Sequence, residues 1–229
     1  MANILALDTA TEACSVALSW QGQRYELYEE VPREHTKKIL PMVEAILAES
    51  GVTLAQLDAV AYGRGPGSFT GVRIGVAAAQ GLAFGADLPL IGVSTLQAMA
   101  QRAIEMQAAP VVIAAIDARM GEIYHGIFRN QQNLAIIEEN EQVLTCDQLA
   151  GSAELSGVAV GTGWQTYQQE LMVKYPHVDV SANIILPHAY DMLPLAQSEF
   201  TLGHTVASEN ATPVYLRDKV TWKKLPGRE

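Results

Sequence analysis

Two kinds of residue in this sequence could do chemistry: aspartates that close apolar strands, and glycines that open a helix. Ile4-Leu5-Ala6-Leu7 ends at Asp8-Thr9-Ala10-Thr11, and Val111 to Ile116 ends at Asp117. Between them, Gly63-Arg64-Gly65-Pro66-Gly67-Ser68-Phe69-Thr70-Gly71 follows the apolar run Ala59-Val60-Ala61-Tyr62 and feeds a small-residue helix from Val72 to Leu82. A glycine loop at the carboxyl end of a strand presents free backbone N–H groups where a helix begins, and anions bind at such places. Ser68 or Thr70 has the side chain to cap that helix. The stretch lacks the lysine of a P-loop and the ribose-binding context of a dinucleotide fingerprint. A tight strand-to-helix connection therefore competes with a phosphate cradle.

The other reactive side chains are dispersed. His35, His125, His177, His188 and His204 have no paired spacing of the kind a metal site on a helix needs. No Ser or Cys stands in a recognisable nucleophile motif with a His and an acid. Cys14 and Cys146 provide no disulfide framework and read as small buried thiols in a reducing compartment.

The totals bound the rest. A chain of 229 residues with 49% hydrophobic and 17% charged residues buries a sizeable core. Its formal charge of −10 argues against unaided nucleic-acid binding, which needs clustered Lys and Arg. The basic residues Arg217, Lys219, Lys223, Lys224 and Arg228 gather at the end of the chain and read as a solvated tail. The opening Met-Ala-Asn lacks a basic leader, and no apolar run approaches the roughly 18 residues of a membrane span. The expectation is a cytoplasmic protein with no membrane association.

Periodicity supplies the elements that must position these groups. Three strands joined by short turns open the chain, at 4–7, 14–20 and 24–29, as an antiparallel meander. His35 to Ser50 is helical, with Ile39, Leu40, Met42, Val43, Ile46 and Leu47 on its apolar face and Gly51 as its stop. Pro41 predicts a bend or a late start there. Pro89 to Val93 is a buried strand, and Ser94 caps a helix from Thr95 to about Met106. After Ala108-Ala109-Pro110, Ile113-Ala114-Ala115-Ile116-Asp117 repeats Ile4-Leu5-Ala6-Leu7-Asp8 without a gap, and Gly121 to Phe128 returns as a hairpin strand. This weak internal repeat predicts two α/β lobes, residues 1–108 and 109–229, with the same strand–Asp–hairpin grammar. Val158 to Val160 runs into a second glycine turn, and a helix with a distorted start covers Met192 to Phe200.

A duplicated lobe of this kind resembles the superfamily of actin, sugar kinases and heat-shock chaperone ATPases. Three motifs carry a narrower likeness: Ile4 to Thr11, Tyr62 through the glycine stretch to Gly75, and Pro213-Val214-Tyr215-Leu216-Arg217. Together they resemble the TsaB, or YeaZ, family over the whole chain. That resemblance implies an accessory subunit, not an enzyme, in making threonylcarbamoyladenosine at position 37 of tRNAs that read codons starting with A. It implies work with a larger paralogue, the transferase TsaD, and with the ATPase TsaE. It also implies a homodimer of the isolated chain through first-lobe helices, and tRNA contact only through the complex.

The residues fit a non-catalytic member. The superfamily's phosphate hairpin has the form Asp-x-Gly-x-Thr; here Ala10 and Arg119 stand where glycine belongs, and the second copy has no Thr. Asp8, Thr9, Thr11 and Asp117 are thus at most vestigial nucleotide-facing residues, and no cofactor is expected. The transferase paralogue carries a metal-binding His-x-x-x-His where this chain has Thr95 and Met99, so no metal and no catalytic residue is expected either. An ATP-dependent transferase or phosphotransferase acting alone is the alternative. Gly71, Gly75 and Ala79 recur every four residues, which lets a second helix approach closely, and the 35–50 helix supplies bulky partners. The predicted dimer or partner interface is His35, Ile39, Met42, Val43, Ile46, Gly71, Val72, Gly75, Ala78, Ala79 and Leu82. Packing of that small face against the chain's own sheet is the competing reading.

Overall fold

The computed structural model describes residues 1–217, so Lys219, Lys223, Lys224 and Arg228 of the basic tail lie outside the described residues. The first half contains β1 (Ile4–Asp8), β2 (Ala13–Trp20), β3 (Gln23–Glu30), α1 (His35–Ser50), β4 (Ala59–Gly65), α2 (Phe69–Ala86), β5 (Leu90–Ser94) and α3 (Thr95–Gln107). The second contains β6 (Val111–Asp117), β7 (Glu122–Gln131), β8 (Leu134–Thr145), β9 (Ser156–Val160), α4 (Thr162–Thr166), α5 (Gln168–Lys174), β10 (His177–Val180) and α6 (Ala189–Thr201).

The repeat is a repeat of topology. One sheet has the order β3-β2-β1-β4-β5 and the other β8-β7-β6-β9-β10. In each, an antiparallel three-strand meander is followed by two strands parallel to the first. β1 and β6 hold the same central place, so their alternating side chains feed two different cores. Leu5 and Leu7 pack with α1 and α2, while Ile4 and Ala6 join a central cluster. Val112, Ala114 and Ile116 of β6 enter that same central cluster, and Val111, Ile113 and Ala115 pack under α4 and α5. Both strands are apolar at every position before the closing Asp because both faces are covered.

The central cluster is shared by helices that exchange sides. α3, from the first half, packs on β6, β7 and β8, whereas α6, from the second half, packs on β1, β2, β4 and β5. Five layers result: α1 with α2, the first sheet, α3 with α6, the second sheet, and α4 with α5. This duplicated mixed-sheet α/β architecture is that of the actin, sugar-kinase and chaperone-ATPase fold.

Local differences from the periodicity have simple causes. α1 runs unbroken from His35 through the exposed Pro41, so the late start does not occur. α2 begins three residues early because the cap is Ser68, whose Oγ accepts from Gly71 N at 3.0 Å. β8 lies at a sheet edge with half of its side chains exposed, and so carries no apolar pattern to read.

Candidate functional site

The two aspartates share one local role. Asp8 Oδ1 accepts from Ala10 N at 3.0 Å, and Asp117 Oδ1 accepts from Arg119 N at 2.8 Å. Each carboxylate thus pins the turn that leaves its central strand. Beyond that they diverge. Asp8 is fully buried and turned toward β4, where a Cβ on Gly63 would lie 1.8 Å from Oδ2. Glycine is required at 63 to leave room for a carboxylate whose Oδ2 has no hydrogen-bond partner. Burial pushes the Asp8 carboxyl up to about 6, against the Ala10 N–H and the charge of His188, which lower it.

Thr9 also turns away from solvent. Its Oγ1 donates to Gly71 O at 2.7 Å, and its carbonyl oxygen would stand 2.2 Å from a Cβ on Gly71. Oγ1 would stand 2.8 Å from a Cβ on Gly75. The loop after β1 is therefore a socket for the first turns of α2, and the helix glycines are the price of that approach. Of the four residues read as at most vestigially nucleotide-facing, Asp8 and Thr9 are therefore turned into the protein and do not line the cleft. Thr11 and Asp117 do line a cleft between the lobes, of about 540 Å³, together with Ser68, Thr162, Tyr215 and Arg217. Arg119 crosses its mouth to Glu12 at 3.3 Å.

Thr95 and Met99 lie one turn apart on α3, both buried. A Cβ on Gly161 would lie 2.9 Å from Met99 Cε, so the thioether fills the space beneath the second lobe's glycine turn. Thr95 Oγ1 is buried without a partner. A hydroxyl and a methyl-capped sulfur do not fit the divalent ion that paired imidazoles would hold. Among the described residues, no three His, Cys, Asp or Glu side chains come together as a metal site.

The α1–α2 pair needs a larger correction. His35, Ile39, Met42, Val43 and Ile46 on α1, and Gly71, Val72, Gly75 and Ala79 on α2, are all buried within this chain. They point at the sheet and at the Thr9 socket, although Ile39 also reaches the floor of the groove between the two helices. Ala78 and Leu82 lie half-buried at the edge. The outward face is a different set. Leu40, Phe69, Ala77, Gly81, Phe84 and Gly85 are exposed, Phe84 at 81%, and Gly81 and Gly85 would give a Cβ no neighbour within 4 Å. Leu40, Ile74, Ala77 and Ala78 line an apolar groove of about 480 Å³ between the two helices, with Phe69 and Arg73 at its end.

The sequence contained the signal for this assignment. Val72, Val76, Ala79 and Ala83 recur at helical spacing and are the stripe that must enter the core. The ladder Gly71-Gly75-Ala79 runs beside that stripe, whereas Ala77-Gly81-Gly85 runs opposite it with Phe84. Ending the helix at Leu82 hid Phe84 and the second ladder.

The chain is thus a two-lobed α/β protein with the fold of actin and sugar kinases, in which the first-lobe hairpin is packed against the opening turns of α2. The family model described as "TsaD: tRNA N6-adenosine threonylcarbamoyltransferase" matches residues 28–222. The chain is 54% identical to the tRNA threonylcarbamoyladenosine biosynthesis protein TsaB of Escherichia coli K12, over 99% of both chains. It is 48% identical to the Haemophilus influenzae protein of the same name, over 99% of this chain and 98% of that one. The solved structure of YeaZ from Pseudomonas aeruginosa superposes with a TM-score of 0.88 at 45% identity, covering 94% of this chain and all of that one. The chain belongs to the TsaB family, within the wider TsaD-like family that the matching model describes.

Proposed function

We propose that this protein is a non-catalytic scaffold or activator in the formation of threonylcarbamoyladenosine on tRNA, acting in the cytoplasm with a TsaD-like transferase and a TsaE-like ATPase. The observation that carries the reading is the exposed apolar face of α1 and α2, a surface out of keeping with a free, soluble chain of formal charge −10. Exposed aromatic rings beside small residues let a partner helix approach closely and bury much area at little entropic cost. In the free chain the same face would accept a second copy, giving the homodimer. Thr95 and Met99 support a non-catalytic role, since neither offers a nitrogen or carboxylate ligand to a catalytic metal. The name of the matched relatives supports the tRNA modification.

Reconstitution tests it. Modification of tRNA by the paralogue and the ATPase is expected to need this chain, and the chain alone is expected to show no turnover of ATP with Mg²⁺. Full modification without the chain, or turnover by the chain alone, contradicts the proposal.

A further inference from the structure

The segment from Val206 to Arg217 contains only one short helical turn, Ser208–Asn210, yet it is held at nearly every step. Val206 exchanges two backbone hydrogen bonds with Leu90, at 2.8 and 2.9 Å, on the edge of the first sheet. The Gln80 amide of α2 donates to the carbonyls of Ser208 and Ala211 at 3.1 and 3.0 Å. Ala211 is buried with the α1–α2 core, and Val214 N donates to Arg64 O at 2.8 Å. The body of the segment thus belongs to the first lobe.

Its last residues touch two other places. The Tyr215 ring lies 5.8 Å from that of Phe69 and 5.2 Å from the Arg73 guanidinium, which itself sits 3.4 Å over Phe69. Phe69 and Arg73 stand at the end of the α1–α2 groove. Two residues on, Arg217 crosses to the second lobe. Its Nε donates to Glu122 Oε2 at 3.0 Å and its Nη2 to Ala118 O at 3.0 Å, with a further bond from Nη2 to Glu122. Ala118 and Glu122 bracket the β6–β7 turn, which carries the Arg119 wall of the cleft.

We propose that residues 206–217 are a strap that couples the α1–α2 groove to the opening of the interlobe cleft. Arg217 is the latch. A planar guanidinium holding a carboxylate and a carbonyl at once fixes the turn far better than a single exposed contact. The other tie across the mouth, Arg119 to Glu12, has side chains 76% and 49% exposed and contributes little. A protein that settles on Phe69 and Arg73 displaces or clamps Tyr215, and so shifts the latch two residues away. The effect is reciprocal: whatever opens or closes the cleft changes the affinity of the groove. The coupling rests on the partner-binding reading above; the latch does not.

Hydrogen exchange on the whole chain separates the two. In the free protein, Arg217→Met, which keeps the aliphatic stem, is expected to speed exchange in residues 116–124 about tenfold, as for loss of one local restraint. Glu122→Gln should do the same, the double variant no more, and Arg119→Met little. Unchanged exchange in Arg217→Met overturns the latch. Saturation with the TsaD-like paralogue is expected to change exchange in 116–124 of the parent and not of Arg217→Met. Binding of the paralogue with no change there overturns the coupling alone. If the paralogue does not bind, the coupling falls with the proposed function, while the free-chain result stands.

Discussion

The two faces of α2 carry similar residues under opposite constraints. Gly71 and Gly75 are small because Thr9 lies against them, at distances that leave no room for a Cβ, and Ala79 is buried one turn further on. Gly81 and Gly85 are small with nothing from this chain within 4 Å of an added Cβ, and Ala77 is exposed on the same face. Glycine in a helix interior costs roughly 0.5–1 kcal/mol relative to alanine. The inward glycines offset that cost by close packing within the lobe. The outward ones gain nothing inside this chain, and a partner helix is the compensation that the proposed function supplies.

Substitution on the inward face should have the largest effect. Gly71→Val places a Cβ 2.2 Å from a backbone oxygen that no rotamer change can move. It is expected to cost about 3 kcal/mol or more of stability, read by urea unfolding. A variant as stable as the parent would show that the helix sits farther from the Thr9 socket than described.

Asp8, beside that socket, gives the next largest effect and a defined pH dependence. Its folded carboxyl is pushed up to about 6 from 3.8. The protonated form therefore favours the fold fully below pH 3.8, and that contribution is lost as pH rises through 6. Asp8→Asn keeps the acceptor for Ala10 N and removes the buried charge. It should stabilise the protein by up to about 3 kcal/mol at pH 7, with the gain vanishing toward pH 4. Thermal unfolding across that range checks it, and a gain independent of pH would assign the effect to packing.

On the outward face, stability and association should separate. Phe84→Asp is expected to change unfolding by within about 0.5 kcal/mol, because the ring is 81% exposed. The same variant should lose self-association in sedimentation equilibrium. The smallest effect belongs to Arg119→Ala, which breaks an exposed pair and should shift stability by no more than about 0.5 kcal/mol in the same unfolding assay.

Much of the fold was legible because it rests on local pattern. The apolar runs of β1 and β6, each ending in Asp, predict the duplicated topology, and Ser94 predicts the start of α3. β8 and β10 were not legible, since an exposed edge strand and a four-residue strand bury too little to imprint a pattern. The exchange of α3 and α6 between sheets was hidden for another reason. Periodicity says which face of a helix is buried but not against what. The same gap affects the candidate interface: most residues of the apolar or small stripes on α1 and α2 meet this chain's own sheet, while Ile39 and Ala78 also line the groove between the helices. Asp8 and Asp117 look alike in sequence, and only the neighbouring Gly63 explains why one is sealed in and the other reaches the cleft.

The proposed function places the partner contact on the outward face of α1 and α2. Binding of the TsaD-like paralogue, measured by titration calorimetry on Phe84→Asp and on the cleft variant Asp117→Asn, tests it most directly. Phe84→Asp is expected to lose at least tenfold in affinity, about 1.4 kcal/mol, and Asp117→Asn to keep a near-parental value. Parental affinity in Phe84→Asp, with the loss falling on Asp117→Asn, would contradict that placement.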